Sequence, residues 1–147
     1  MRRKKRAIGY VCDIPVVGSP LTISKEDQKL RILKHADKEN LELVCIYVDA
    51  FFTENPLDRP GVNKVFNTSE EFDVVLVERV WALSSKMKDL KPVLTNLDAR
   101  RIPLVATSHL WDCVSQRVRR RYSEDPVERC RRAARASLEA KHSKEAA

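Results

Sequence analysis

Glycine is scarce in this chain, with three among 147 residues, and the loop after the first apolar segment carries Pro15 and a single glycine, Gly18. A loop that cradles a phosphate with its backbone N–H groups needs several close glycines, so that mode of nucleotide binding is excluded. Cysteine is equally sparing. The four thiols stand at positions 12, 45, 113 and 130 with no C-x-x-C pair, and the three histidines, His35, His109 and His142, complete no zinc spacing. Reduced thiols, no metal and no cofactor are the expectation, as for a cytoplasmic protein. Cys45, inside an apolar strand pattern, is expected to fill core. No apolar run reaches the ~20 residues a membrane span requires. The basic start Met1–Arg6 resembles the opening of a signal peptide, but Asp13, Pro15 and Gly18 interrupt the stretch after it, so that reading fails.

What is present is ordinary for a folded domain: 43% hydrophobic and 33% charged residues, a balance that argues against wholesale disorder. The net charge of +7 is unevenly placed. Residues 1–6 hold five Lys/Arg and no acid, and residues 117–135 hold eight arginines against Glu124, Asp125 and Glu128. The body between them, residues 7–116, is mildly acidic. Two cationic arms on such a body point to a polyanionic partner, most simply nucleic acid. Basic arms that only keep a protein soluble are the plainer alternative.

Apolar segments alternate with helical patterns. Ala7–Cys12, Leu41–Val48, Phe72–Val77 and Ile102–Ala106 read as buried strands, and residues 13–23 as a loop. Ser24 is placed to cap a helix reaching about Asn40, and Pro60 to start another running to about Thr68. Ser84 or Ser85 opens a third, in which Pro92 predicts a kink or a late start. This order specifies an α/β fold with a mainly parallel sheet of about four strands. Residues 109–122 are mixed, and a final helix is expected from Val127 to about Ala140. Its thin apolar stripe (Val127, Cys130, Ala134, Leu138) needs cover from the body or from a second copy. The domain organisation is therefore a basic arm at 1–6, an α/β domain at 7–108, and a basic linker with a C-terminal helix at 109–147.

Three segments carry a family resemblance: Ile8-Gly9-Tyr10-Val11-Cys12-Asp13-Ile14, Leu57-Asp58-Arg59-Pro60-Gly61, and Val74–Val77 through Met87-Lys88-Asp89-Leu90. Together they resemble the catalytic domain of serine recombinases, the resolvase/invertase family, closest to the large serine recombinases. The ungapped agreement from Tyr47 to Gly61 and the position of Gln28, fourteen residues beyond Ile14, strengthen the likeness. The resemblance implies a resolvase-like three-layer fold, DNA as substrate, dimerisation through the terminal helix, and a serine that attacks the DNA phosphate.

The family's first motif reads G-Y-x-R-V-S. Here Ile14 stands in the serine's place and Cys12 in that of its arginine. After the third strand, where the family reads D-R-x-x-R-S-x-x-D-L, Trp81, Ala82 and Ser85 replace the aspartate and both arginines. An aliphatic side chain has no lone pair to donate and cannot form a phosphodiester link. No catalytic set is intact by this reading; Gln28, Asp49 and Arg59 are the remnants, and Thr53 falls where a serine usually sits. Arg59 equally well fixes its own loop by pairing with Asp58 or Asp49, and Trp81 packs to close the vacated cleft.

The leading expectation is a catalytically inactive, recombinase-like DNA-binding protein. It would be a homodimer or the partner of an active recombinase, with Arg59, Arg117, Arg119, Arg120, Arg121, Arg131, Arg132 and Arg135 on the DNA. Two alternatives stand beside it. One is an active recombinase using Ser24 as displaced nucleophile. The other is an α/β signalling or ligand module in which Asp13 and Asp49, with Thr107 and Ser108 nearby, hold a divalent cation.

Overall fold

The computed structural model describes residues 4–16, 18–108 and 113–123. Four parallel strands make the main sheet: β1 (Arg6–Cys12) lies between β4 (Glu42–Asp49) and β5 (Val74–Val77), and β6 (Leu104–Ala106) flanks β5. The sheet is the parallel one expected, and each strand lies within two residues of its predicted bounds. β1 is buried along almost its whole length, which is why its sequence runs apolar without alternation.

The two faces are nonetheless distinct, because neighbouring side chains point to opposite sides of a strand. Ala7 and Val11, with Val74 and Leu76, pack with Ile32 and Ala36 of helix α1 (Lys25–Lys38). Ile8, Tyr10 and Cys12, with Val75 and Val77, pack under α2 (Pro60–Asn67) and α3 (Met87–Ala99). Gly9 lets α1 approach: a Cβ there would stand 3.0 Å from Ile46 Cγ1 and 3.3 Å from Ile32 Cγ2.

Helix boundaries follow local chemistry. Ser24 Oγ accepts the Asp27 N–H at 3.2 Å, a side-chain N-cap. Beyond the other end of α1, Asn40 adopts φ 56°, the left-handed conformation that asparagine tolerates best after glycine. Pro60 occupies the first turn of α2, where a missing N–H costs nothing. Pro92 neither breaks nor delays α3, which runs through it. It is exposed, and on that side water can satisfy the carbonyl left without a donor.

Two elements depart from expectation. The loop at 13–23 contains a small antiparallel ladder, β2 (Ile14–Pro15) with β3 (Thr22–Ile23), closed by Val16 N–H to Leu21 O at 3.0 Å. The mixed segment at 109–122 holds a helix, α4 (Cys113–Ser123). It seats Val114 and Val118 in the α2/α3 side of the core. The helix expected at 127–140 lies outside the described residues.

Candidate functional site

Parallel register brings the C-terminal ends of the strands together, the edge where open α/β sheets usually carry their sites. Cys12 lies opposite Asp49, and Val77 opposite Ala106. Three of the residues singled out in the sequence, Gln28, Asp49 and Arg59, reach this end, and each is fastened to the protein itself.

Gln28 is fully buried. Its Nε2 donates to the Cys12 carbonyl at 2.7 Å and the Ile23 carbonyl at 3.2 Å, and its Oε1 accepts the Cys12 N–H at 3.4 Å. One side chain thus ties the end of β1 and the β2–β3 ladder to α1. Ile14, immediately beyond, pairs with Ile23 and is 4% exposed within the α2/α3 core cluster. Half-buried Trp81 packs against that same cluster. Asp13 turns the other way: Lys25 donates to it from its backbone N–H at 2.8 Å and from Nζ at 3.1 Å. The backbone N–H of Lys25 holds this carboxyl below its usual range, outweighing burial, and the ammonium lowers it further.

Asp49 is buried and accepts three bonds: Gly61 N–H at 2.8 Å, Val62 N–H at 3.2 Å and the Tyr10 hydroxyl at 2.7 Å. The first two belong to the opening turn of α2. Gly61 is required here, since a Cβ would sit 2.5 Å from Asp49 Oδ2. Burial pushes the Tyr10 phenol far above its ordinary range, outweighing the opposing pull of Arg59. Its proton is therefore retained and directed to Asp49.

Arg59 is 0% exposed. Its Nη1 donates to Tyr10 OH at 3.2 Å and Ala82 O at 2.5 Å. Its Nη2 donates to Thr53 O at 2.6 Å and Leu83 O at 2.7 Å, and Nε to Thr53 Oγ1 at 3.2 Å. The ring of Phe52 lies 4.3 Å from its guanidinium carbon. All five N–H donors of a guanidinium are consumed. A group so enclosed presents no surface to a phosphate in this arrangement. Its partners also differ from those expected, being backbone carbonyls and Tyr10 rather than Asp58 or Asp49.

The other arginines divide. On α4, Arg117 and Arg120 are exposed. Arg119 donates to the Ser108 carbonyl and Arg121 pairs with Asp98. Arg131, Arg132 and Arg135 lie outside the described residues. Asp13 and Asp49 are committed to separate partners rather than to a shared cation. Among the described residues no group of three His, Cys, Asp or Glu side chains converges as a metal would need, and no helix is long and apolar enough to cross a membrane.

Residues 21–139, well over half of the chain, match the family described as "Resolvase, N terminal domain". The chain belongs to that family. Among solved structures, this resolvase-family domain is similar to the N-terminal catalytic domain of TP901-1 integrase. Identity is 26% with a TM-score of 0.55, over 70% of this chain and 77% of that one. A resolvase family site-specific recombinase from Streptococcus pneumoniae shares 17% identity at a TM-score of 0.59, over 96% and 91% of the two chains. The C-terminal catalytic domain of ISC1926 TnpA, an IS607-like serine recombinase, shares 17% at 0.57, over 71% of each. The last two likenesses speak to the fold alone. No curated protein matches the chain. The family match begins downstream of Ile14, so the correspondence of Ile14 with the nucleophile's place rests on the first motif and on the spacing to Gln28.

Sequence reasoning singled out Gln28, Asp49 and Arg59 but passed over Tyr10, which bridges Asp49 to Arg59. The signal was available in the family's own G-Y pair, Gly9-Tyr10. Cys12 is fully buried, and desolvation raises its thiol pKa despite the opposing charge of Arg59. Since only a thiolate is nucleophilic, Cys12 is expected to resist iodoacetamide at neutral pH while the half-buried Cys45 reacts. Peptide mass spectrometry with and without urea checks this; equal labelling of both in native buffer would contradict the packing at the end of β1.

Proposed function

We propose that this resolvase-family domain is a catalytically silent, DNA-associated relative of the serine recombinases. It would act in the cytoplasm as a homodimer or by pairing with an active recombinase, as a regulator or a remnant of a mobile element. The observation that carries the reading is Ile14: a hydrocarbon closed into a strand pair where the family motif places the attacking hydroxyl. Phosphoryl transfer also needs cations around phosphorus to hold the charge developing on its oxygens. The one arginine retained from the family set, Arg59, spends every donor internally. Losing a single such donor commonly lowers a rate by ~10²–10³, and here the nucleophile is missing as well.

Ser24, the alternative nucleophile, accepts the Asp27 N–H as a helix cap. The neighbouring ammonium of Lys25 is paired with Asp13. DNA association is supported by the family, by exposed Arg117 and Arg120 on α4, and by the clustering of arginine from residue 117 onward.

The test is incubation of the full chain with supercoiled plasmid, quenched in denaturant. Filter retention that falls steeply with salt, with no covalent protein–DNA adduct, is the expected result. An adduct would end the claim of silence, and its loss in Ser24→Ala would identify the displaced nucleophile. Absence of any salt-dependent retention at low ionic strength would end the claim of DNA association.

A further inference from the structure

A groove of about 400 Å³ separates α1 from the end of β6. Arg31, Lys34 and Lys38 line it from one flank of α1 and Arg119 from α4, against one lining carboxylate among the described residues, Glu39. The network around Arg59 uses none of these residues.

Helix stability accounts for only part of the cluster, since Lys38 stands in the last turn of α1, where a cation is favoured. Lys34 and Lys38 lie four residues apart, an arrangement of like charges that destabilises a helix, and neither has an ion-pair partner among the described residues. Arg31 reaches Glu78 only at 3.9 Å, and that buried carboxylate is already held by Arg79 at 2.5 and 2.8 Å. Among the described residues, the charges of Lys34 and Lys38 are thus left uncompensated by an ion pair.

A concavity lined by Arg31, Lys34, Lys38 and Arg119 matches a polyanion whose oxygens accept from these side chains.

We propose that this groove binds the phosphate groups of a phosphodiester strand, as a contact surface separate from the end of β1. The phosphate chemistry stands on the groove itself; that the phosphate belongs to DNA rests on the proposed DNA association of the domain.

The experiment compares the full chain with Lys34→Ala/Lys38→Ala and with a charge-matched control, Lys64→Ala/Lys91→Ala, whose exposed lysines sit on α2 and α3 across the sheet. Affinity for a fluorescent duplex is followed from about 50 to about 200 mM salt, and tripolyphosphate binding by titration calorimetry. The groove variant is expected to lose about 1.8 from the steepness of log affinity against log salt, at about 0.9 per phosphate contact. The control should keep the wild-type slope. Duplex binding with an unchanged slope in the groove variant would overturn the groove while leaving DNA association standing, and equal slope losses in groove variant and control would overturn it too. Tripolyphosphate binding that disappears only in the groove variant, with no duplex binding by any protein, would uphold the phosphate chemistry and remove DNA as its source. Binding of neither ligand by the wild type would overturn both.

Discussion

Arg59→Ala is expected to destabilise the domain by about 3–5 kcal/mol, the range for removing one partner from a buried, hydrogen-bonded charge network. The loss has three origins. The carbonyls of Ala82 and Leu83 lose a donor while remaining enclosed, as does the half-buried carbonyl of Thr53, and an unsatisfied buried acceptor costs about 1–3 kcal/mol. The packing of the guanidinium against Phe52 disappears. A large side-chain volume at the junction of the 53–59 loop with the turn at Val80–Ala82 is emptied. Urea unfolding followed by circular dichroism measures the change. Arg59→Lys is expected to recover only part of it, because an ammonium cannot reproduce the planar fork that meets five acceptors. A loss below about 1 kcal/mol, the scale of an exposed ion pair, would show that the guanidinium is not enclosed.

Asp49→Ala should cost nearly as much, about 3 kcal/mol, by leaving the Tyr10 hydroxyl and two N–H groups of α2 unpaired. The same unfolding measurement applies. Because Tyr10 joins Asp49 to Arg59, the double variant should lose less than the two single losses combined, by about 0.5–3 kcal/mol, as groups within one network do. Strict additivity would mean that the two residues act separately and that the bridge through Tyr10 carries no energy.

The layout of the fold was open to the sequence because it rests on patterns the sequence displays. Continuous apolar runs marked β1, β4, β5 and β6, and Ser24 and Pro60 marked two helix starts through their own chemistry. The β2–β3 ladder was hidden because two-residue strands have no period, and Pro15 and Pro20 read as loop. Helix α4 was hidden for a different reason: Arg117–Arg121 obscures an apolar stripe reduced to Val114 and Val118. The candidate site was legible in its membership but not in its state. Charged side chains are normally exposed, so Arg59 read as a DNA contact. What encloses it is a set of backbone carbonyls, and a carbonyl carries no side-chain signature.

The enclosure of Arg59 bears on how such a chain could change over generations. On the proposed reading, a serine placed at position 14 would arrive without a cation to meet it, because freeing the guanidinium first strips donors from Thr53, Ala82 and Leu83. On that reading a route to strand exchange by successive single mutations would pass through a less stable intermediate.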